Sequence, residues 1–145
     1  MSWGYDGSKT AKIAVEFAAA QASLHDARLR IVTVWNSSPP AGVIPAVGLP
    51  GLAESRAELA ADRLEQATAI ARDVAAAIEI DTAAVEGNAG LVLVHATRNS
   101  RLLVVGCRGH GGVHGLLLGS VSHHCTLHAT CPVLVIPAHI DDRPR

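Results

Sequence analysis

Residues 101–122 read RLLVVGCRGHGGVHGLLLGSVS. This stretch passes from a strand-like run to a helical one, and it decides the fold. The run Arg101–Gly106 is apolar enough to predict a strand that is buried on both faces. Six glycines fall within the fourteen residues 106–119, which lets the backbone approach a ligand closely. A helical pattern then begins at Leu118. A buried strand, a glycine-rich turn and a helix in this order predict an anion-binding site at the start of the helix.

Strand-like and helical runs alternate along the rest of the chain. The predicted strands are Ser2–Asp6, Leu29–Trp35, Asp81–Glu86, Arg101–Gly106 and Pro132–Pro137. The predicted helices are Lys9–His25, Leu52–Ile78, Ala89–Arg98 and Leu118–Thr130. The stretch Asn36–Gly51 is rich in proline and glycine and predicts a long loop. This alternation predicts an α/β, Rossmann-like domain with an open five-stranded parallel sheet and right-handed crossovers.

Hydrophobic spacing predicts which face of the two longest helices enters the core. In the first helix the stripe consists of Ile13, Phe17, Ala20 and Leu24. In the second it consists of Ala60, Leu64, Ala67, Ala71, Val74 and Ile78. Residues three or four positions apart share one helix face, so both stripes are predicted to pack against the sheet.

Composition limits the classes of protein that fit this chain. Its 145 residues predict one domain, and with 49% hydrophobic but 3% aromatic residues its core must consist of Ala, Val, Leu and Ile. A net charge of −1 and only two lysines argue against a nucleic-acid partner. No apolar run is long enough for a membrane span, and the N-terminus lacks the pattern of a signal peptide. Three cysteines, an odd count, are interpreted as reduced thiols in a cytoplasmic protein.

The predicted ligand site lies where the glycine-rich stretch meets the last helix. The first N–H groups of a helix have no partner within it and lie at the positive end of the helix dipole. Ser120 and Ser122 add hydroxyl donors, and Arg108 adds a guanidinium that can bind a phosphate with two hydrogen bonds. Ligands of open parallel sheets bind at the carboxyl ends of strands, where Asp6 and Gly106 are predicted to lie. The residues alone leave a surface loop without a ligand as the alternative.

A longer pattern in this stretch resembles a known family. The spacing Gly106-x2-Gly109-x9-Gly119-Ser120 fits the signature G-x2-G-x9-G-[ST] of ATP-binding universal stress proteins. The flanking runs VVG at 104–106 and CPVLVIP at 131–137, and the turn GYDGS at 4–8, also resemble that family. The similarity covers residues 1–137, whereas the phosphate-loop pattern GxxxxGK[ST] is absent because no lysine follows Lys12.

The resemblance implies a sheet order of 3-2-1-4-5 with helices on both faces, and ATP, with or without Mg²⁺, in the crevice between strands one and four. It implies a nucleotide-binding domain over residues 1–137, followed by a tail over residues 138–145. The site residues that it implies are Gly4, Asp6, Val34, Gly106, Arg108, Gly109, Gly119, Ser120, Val121 and Ser122. Of these, Gly4 and Asp6 would line the adenosine end of the ligand, and Val34 would contact adenine. Gly106, Arg108 and Gly109 would wrap the ribose and phosphates, and residues 119–122 would hold the phosphates.

The resemblance also implies a homodimer and a role in stress tolerance or growth arrest. Strand 132–137 is apolar on both faces and bracketed by prolines, so it is predicted at the sheet edge, where a second copy could cover it. A monomer whose edge is covered by residues 138–145 is the alternative.

Two other functions stay open: a slow ATPase, for which no catalytic base is evident, and a dimeric module without nucleotide. Because the chain begins almost at the central first strand, a shortened strand and a less stable domain are expected.

Histidines and cysteines offer further candidates for metal binding and for redox chemistry. His110 and His114 are four residues apart, as are His124 and His128, but no acidic third ligand lies close by. We therefore interpret them as solvated or partly buried side chains and predict no metal site. A role of His110 and His114 as donors that line the phosphate site is the alternative. Cys107 follows the buried strand and is interpreted as an inert thiol, with a redox role as the alternative.

Overall fold

The structure is a computed structural model that describes residues 2–4, 9–36, 51–107 and 118–137. Most of the predicted loop and the tail over residues 138–145 lie outside the described residues. The same is true of five residues singled out in the sequence, namely Asp6, Arg108, Gly109, His110 and His114.

Five strands form one sheet in which every pair is parallel. They are β1 (Ser2–Gly4), β2 (Leu29–Trp35), β3 (Ile80–Glu86), β4 (Leu103–Gly106) and β5 (Val133–Ile136). The strand order is β3-β2-β1-β4-β5, the order that the resemblance implies. The predicted α/β class with a parallel sheet is therefore confirmed, and β5 lies at one edge of the sheet.

Four helices connect these strands. They are α1 (Lys9–Leu24), α2 (Leu52–Val74), α3 (Ala89–Ala96), which continues into a 3₁₀ turn at Thr97–Asn99, and α4 (Ser120–His128). Helix α2 ends four residues before the predicted Ile78 because Ala75 leaves the helix with φ −146°. The Arg72 guanidinium donates hydrogen bonds to the carbonyls of Ala76 and Ile78, at 2.9 and 2.6 Å, and so satisfies acceptors beyond the helix end. None of the described helices is long and apolar enough to cross a membrane.

The helices cover both faces of the sheet. One buried cluster joins α1 and α2 to Leu29 and Ile31 of β2, and the other joins α3 and α4 to Val32 and Val34 of the same strand. Successive side chains of a strand point to opposite faces, which explains how one strand serves both clusters. Buried aliphatic residues on both faces are expected when a parallel sheet lies between two helical layers.

The predicted core stripe of α1 is wrong at three of its four positions, whereas Ile13 packs against the buried cluster. Phe17 and Leu24 are 37% and 73% exposed, and Ala20 is exposed too. The buried face instead consists of small residues around Val15, namely Thr10, Ala11, Ala14, Ala18, Ala19 and Ala22. Small side chains let the helix backbone lie close to the sheet and to α2, so alanines fill this contact and the larger side chains face outward.

The predicted stripe of α2 is confirmed over most of its length. Ala60, Ala67 and Ala71 are buried, and Leu64 packs against the same cluster. Val74, at the last turn, is 45% exposed and does not belong to the core. Alanines from α1 and α2 thus supply much of the core on this face, as the low aromatic content of the chain requires.

Candidate functional site

Three predicted site residues lie at the carboxyl ends of neighbouring strands: Gly4 and Gly106 are the last residues of β1 and β4, and Val34 is the next-to-last residue of β2. Gly4, the last residue of β1, pairs with Val32 of β2, two positions before Val34. On its other side β1 pairs Trp3 with Val104, two positions before Gly106 at the end of β4. The carboxyl ends of β2, β1 and β4 therefore form a continuous edge. This is where open parallel sheets bind their ligands.

The start of α4 contributes backbone donors to this edge. Its N-cap, Gly119, has an extended conformation (φ −71°, ψ 165°) and, as a glycine, has no side chain that could accept a hydrogen bond from the first turn. In contrast, the N-cap of α3, Asn88, accepts a hydrogen bond at 3.1 Å from Leu91 N–H with its own side chain. The N–H groups of the first turn of a helix have no acceptor within that helix. At α4 the N-cap side chain does not satisfy them, and the positive end of the helix dipole lies at the same place.

The residue after β4 fixes the position of α4. The Cys107 carbonyl accepts hydrogen bonds from the Gly119 N–H and, at 3.0 Å, from the Ser122 hydroxyl. The Cys107 N–H donates at 2.8 Å to the Ile136 carbonyl of β5. Through its N–H and its carbonyl, Cys107 therefore connects the carboxyl end of the sheet to the start of α4. Sequence reasoning missed this role of Cys107, because a backbone acceptor leaves no mark in the residue type.

The four residues predicted to hold phosphates play different parts in the structure. Gly119 begins the helix, Ser120 is exposed at its first position, and Val121 is half-buried against the cluster on that face of the sheet. Ser122 is only 2% exposed, and its hydroxyl lies within reach of two carbonyls, those of Cys107 and Gly119. We therefore correct one prediction: in this structure the Ser122 hydroxyl is a structural donor, whereas that of Ser120 is accessible to a ligand.

Ser122→Ala is expected to reduce the free energy of unfolding by about 1–2 kcal/mol, the usual cost of losing a buried hydrogen bond. It should also weaken nucleotide binding several-fold, because the start of α4 loses one of its two bonds to Cys107. Denaturant titration measures the first effect and calorimetry with ATP the second. Ser122→Thr keeps the hydroxyl and should restore the affinity.

Thr97→Val is the matched control for this experiment. Thr97 is also buried, and its hydroxyl donates to the Val94 carbonyl at 2.6 Å and accepts from the Thr130 N–H at 3.1 Å. It lies after α3, at the opposite edge of the sheet. The valine variant should therefore lose similar stability with unchanged ATP affinity. Equal losses of affinity in both variants would show that Ser122 acts through general stability alone.

The cysteines near the site favour the inert interpretation. Cys107 and Cys125 are buried, and Cys131 is half-buried; all three are free thiols. Burial raises the pKa of Cys125 to about 11 and also raises the pKa of Cys131. Reactivity requires access and the thiolate, so burial acts against it at Cys107 and Cys125, and the raised pKa acts against it at Cys125 and Cys131.

Alkylation of the native protein by iodoacetamide at pH 8 is expected to modify Cys131 slowly and to spare Cys107 and Cys125. With a pKa of about 11, roughly one thiol of Cys125 in a thousand is ionised at that pH. Peptide mass spectrometry gives the extent of modification at each site, and the protein unfolded in urea is the control in which all three react. Rapid labelling of native Cys107 would revive its redox role.

Charged side chains at the opposite, amino edge of the sheet pair with one another. Arg28 lies 2.8 Å from Glu79, and Arg30 lies 3.4 Å from Asp81. Both pairs line a surface cavity of about 460 Å³. Because cations and anions alternate there, this cavity lacks the excess of one charge that would attract a phosphate.

Comparisons with known proteins agree with this geometry. The family model described as the Universal stress protein family matches residues 3–137. A universal stress protein of Mycolicibacterium smegmatis is 33% identical over 146 residues, with 97% of this chain and 48% of the relative covered. The universal stress protein UspA from Lactobacillus plantarum is 26% identical, with a TM-score of 0.78 and with 94% of this chain and 97% of that chain covered.

A second solved structure bears on the ligand. It is a universal stress protein in complex with cAMP, 28% identical to this chain, with a TM-score of 0.70 and with 94% of both chains covered. The chain spans about half the length of the mycobacterial relatives that it matches, between 43% and 48%.

Proposed function

Because the chain belongs to the universal stress protein family, we propose that it binds ATP at the carboxyl edge of its sheet and acts as a nucleotide-dependent regulator of stress response or growth arrest. The observation that carries this proposal is the start of α4. It presents backbone donors without a side-chain cap and is tied to the end of β4 through Cys107. A relative that binds cAMP supports an adenine nucleotide as the ligand class.

The proposed roles follow the position of each residue. Residues 119–121 would hold the phosphates with their N–H groups and the Ser120 hydroxyl, and Ser122 would contribute through its N–H and its bond to Cys107. Gly106, Arg108 and Gly109 would wrap the ribose and phosphates. The adenosine end would lie against Gly4, Asp6 and Val34.

Mg²⁺ would reach this site with the phosphates of ATP. Among the described residues, no three or more side chains of the kinds that ligate metals come together. A cation that keeps several waters and binds mainly to phosphate oxygens fits that arrangement. Calorimetry with and without Mg²⁺ measures how much the cation contributes to affinity. The proposal places the protein in the cytoplasm, where ATP is available.

The test of the proposed function begins with the nucleotide that copurifies with the protein. Mass spectrometry of the small molecules released by denaturation should identify ATP, and calorimetry should rank ATP against AMP and cAMP. A turnover assay then separates a regulator, which holds ATP unchanged, from a slow ATPase. Failure of all three nucleotides to bind the folded protein would overturn the proposal and leave a module without nucleotide.

We propose that β5 mediates a homodimer. The Pro132 carbonyl accepts a hydrogen bond from the Leu103 N–H of β4 at 3.0 Å, and the Ile136 carbonyl accepts one from the Cys107 N–H, just after β4, at 2.8 Å. By alternation, the backbone groups of Val133 and Val135 point away from β4, towards the outer edge of the described sheet. An apolar edge strand with free N–H and C=O groups is a template for pairing with another strand. Two-fold pairing with a second β5 would cover both edges and close the assembly.

The expected result for the native chain of 15.0 kDa is a particle of about twice that mass in light scattering. Val135→Pro should give a monomer because proline removes an N–H from the free edge. Val135→Ala is the control, since it shortens the same side chain but keeps the N–H, and it should stay dimeric. A monomeric native chain would end this proposal, and a dimeric proline variant would move the interface to another surface.

A further inference from the structure

Two histidine rings meet on α4, away from its first turn. The rings of His124 and His128 have centroids 4.5 Å apart and are tilted by 47°. His124 is half-buried, whereas His128 is exposed and accessible to solvent. The two residues are one helical turn apart, so both side chains lie on the same face of the helix.

The neighbouring helix holds the first of these rings. Gly90 of α3 lies so close to His124 that an added Cβ would come within 2.9 Å of its Cδ2 atom and 3.1 Å of its Cγ atom. The absence of a side chain at Gly90 therefore makes room for the ring. A ring confined in this way loses less conformational freedom when it binds a ligand than a freely rotating one.

The ring separation fits two imidazoles that share one metal ion. A zinc–nitrogen bond is about 2.0–2.1 Å, which places the centre of an imidazole ring roughly 3.2 Å from the ion. For ligand angles between about 90° and 110°, two such ring centres are roughly 4.5–5.2 Å apart. The observed 4.5 Å lies at the lower end of this range, so the separation of the two rings is compatible with one shared ion.

Although the sequence alone predicts no metal site, the ring geometry leads us to propose that His124 and His128 form a two-imidazole binding site for a borderline divalent transition-metal ion, such as Zn²⁺. Neutral imidazole suits Zn²⁺ and Cu²⁺ but not Mg²⁺, which prefers oxygen ligands. No group of three or more ligating side chains exists among the described residues, so water completes the coordination of the ion. The site is distinct from the proposed nucleotide site, and the proposal does not depend on ATP binding.

Packing of two rings without a metal would produce the same contact, so the test measures metal affinity. The probe is Zn²⁺ alone, titrated into the untagged full chain in competition with a fluorescent zinc indicator. The background carries His110→Gln and His114→Gln, which keeps those two histidines from contributing. Cu²⁺ is a second probe and is expected to bind more tightly than Zn²⁺. Mg²⁺ is the negative control and is not expected to bind.

His124→Gln and His128→Gln are each expected to weaken Zn²⁺ binding at least about tenfold, because either change breaks the chelate. The double variant should bind Zn²⁺ only slightly more weakly than either single variant, since one remaining imidazole binds the ion poorly by itself. His123→Gln is the matched control: it changes the neighbouring exposed histidine, which points about 100° away around the helix. Zn²⁺ should also raise the melting temperature of the background protein but not of the double variant.

Two outcomes would overturn the site. Unchanged Zn²⁺ affinity in His128→Gln would do so directly, because this residue is exposed and its replacement leaves the fold intact. Equal losses in His123→Gln and in the two chelate variants would show that zinc binds histidines without selection. ATP affinity, measured on the same variants, should stay unchanged throughout.

Discussion

Ser120→Asp is expected to weaken ATP binding at least about a hundredfold, equivalent to roughly 2.7 kcal/mol, while the free energy of unfolding rises slightly. Ser120 is exposed at the first position of α4, next to the backbone donors that the proposed phosphates would bind. A carboxylate there repels phosphate but interacts favourably with the helix dipole, worth about 0.3–1 kcal/mol. Affinity and stability should therefore change in opposite directions, as measured by calorimetry and by denaturant titration.

Ser120→Asn separates charge from shape in this experiment. Asparagine resembles aspartate in size and hydrogen-bonding reach but carries no charge, so it should reduce affinity only a few-fold. ATP affinity in Ser120→Asp equal to that of the native chain would place the phosphates elsewhere. Equal losses in both variants would mean that steric bulk, rather than charge, determines the outcome.

Leu103→Ala is expected to reduce the free energy of unfolding by about 2–5 kcal/mol, the usual range for a buried leucine. Leu103 is completely buried in β4, in the cluster beneath α3 and α4. Its removal costs the transfer energy of the side chain and leaves a cavity that rigid neighbours fill only partly. Chemical denaturation monitored by circular dichroism gives the value.

Leu127→Ala is the matched control on α4. Leu127 is 67% exposed, so the same chemical change should alter stability by no more than about 0.5 kcal/mol. A loss of under 1 kcal/mol in Leu103→Ala would contradict the assignment of β4 to the centre of the core.

Local pattern predicted the elements of this fold well. The strands Leu29–Trp35 and Arg101–Gly106 are short runs of aliphatic residues, and the structure has strands at both, the second beginning at Leu103. Such runs are recognisable because a parallel sheet between two helical layers requires apolar residues on both faces. The strand order came from the family resemblance, since short aliphatic strands contain little information about their neighbours.

Packing of α1 could not be predicted from the same rules. Spacing alone made Phe17 and Leu24 core residues, whereas the structure buries the alanine face that includes Ala14 and Ala18. Large apolar residues gain most from burial when space allows, but a helix lying close to a sheet has room only for small side chains. That distance is a tertiary property, which the order of residues along one helix does not contain.

The candidate site was predictable in outline and less so in detail. The spacing of glycines and Ser120 marks the start of α4, which follows from a local rule about helix ends. Ser122 looks equally available in the sequence, yet its hydroxyl bonds to the Cys107 carbonyl. Sequence reasoning missed this partner because the carbonyl lies fifteen residues away along the chain.

The double connection at Cys107 has a thermodynamic consequence for the proposed activities. Its N–H bonds to β5, the proposed dimer strand, and its carbonyl bonds to α4, the proposed phosphate-binding helix. A ligand that shifts Cys107 would therefore also change the geometry at the proposed dimer contact. Linkage then requires reciprocity: the factor by which dimerisation changes nucleotide affinity equals the factor by which nucleotide changes the dimerisation constant. The apparent affinity for the nucleotide would then depend on the concentration of the protein.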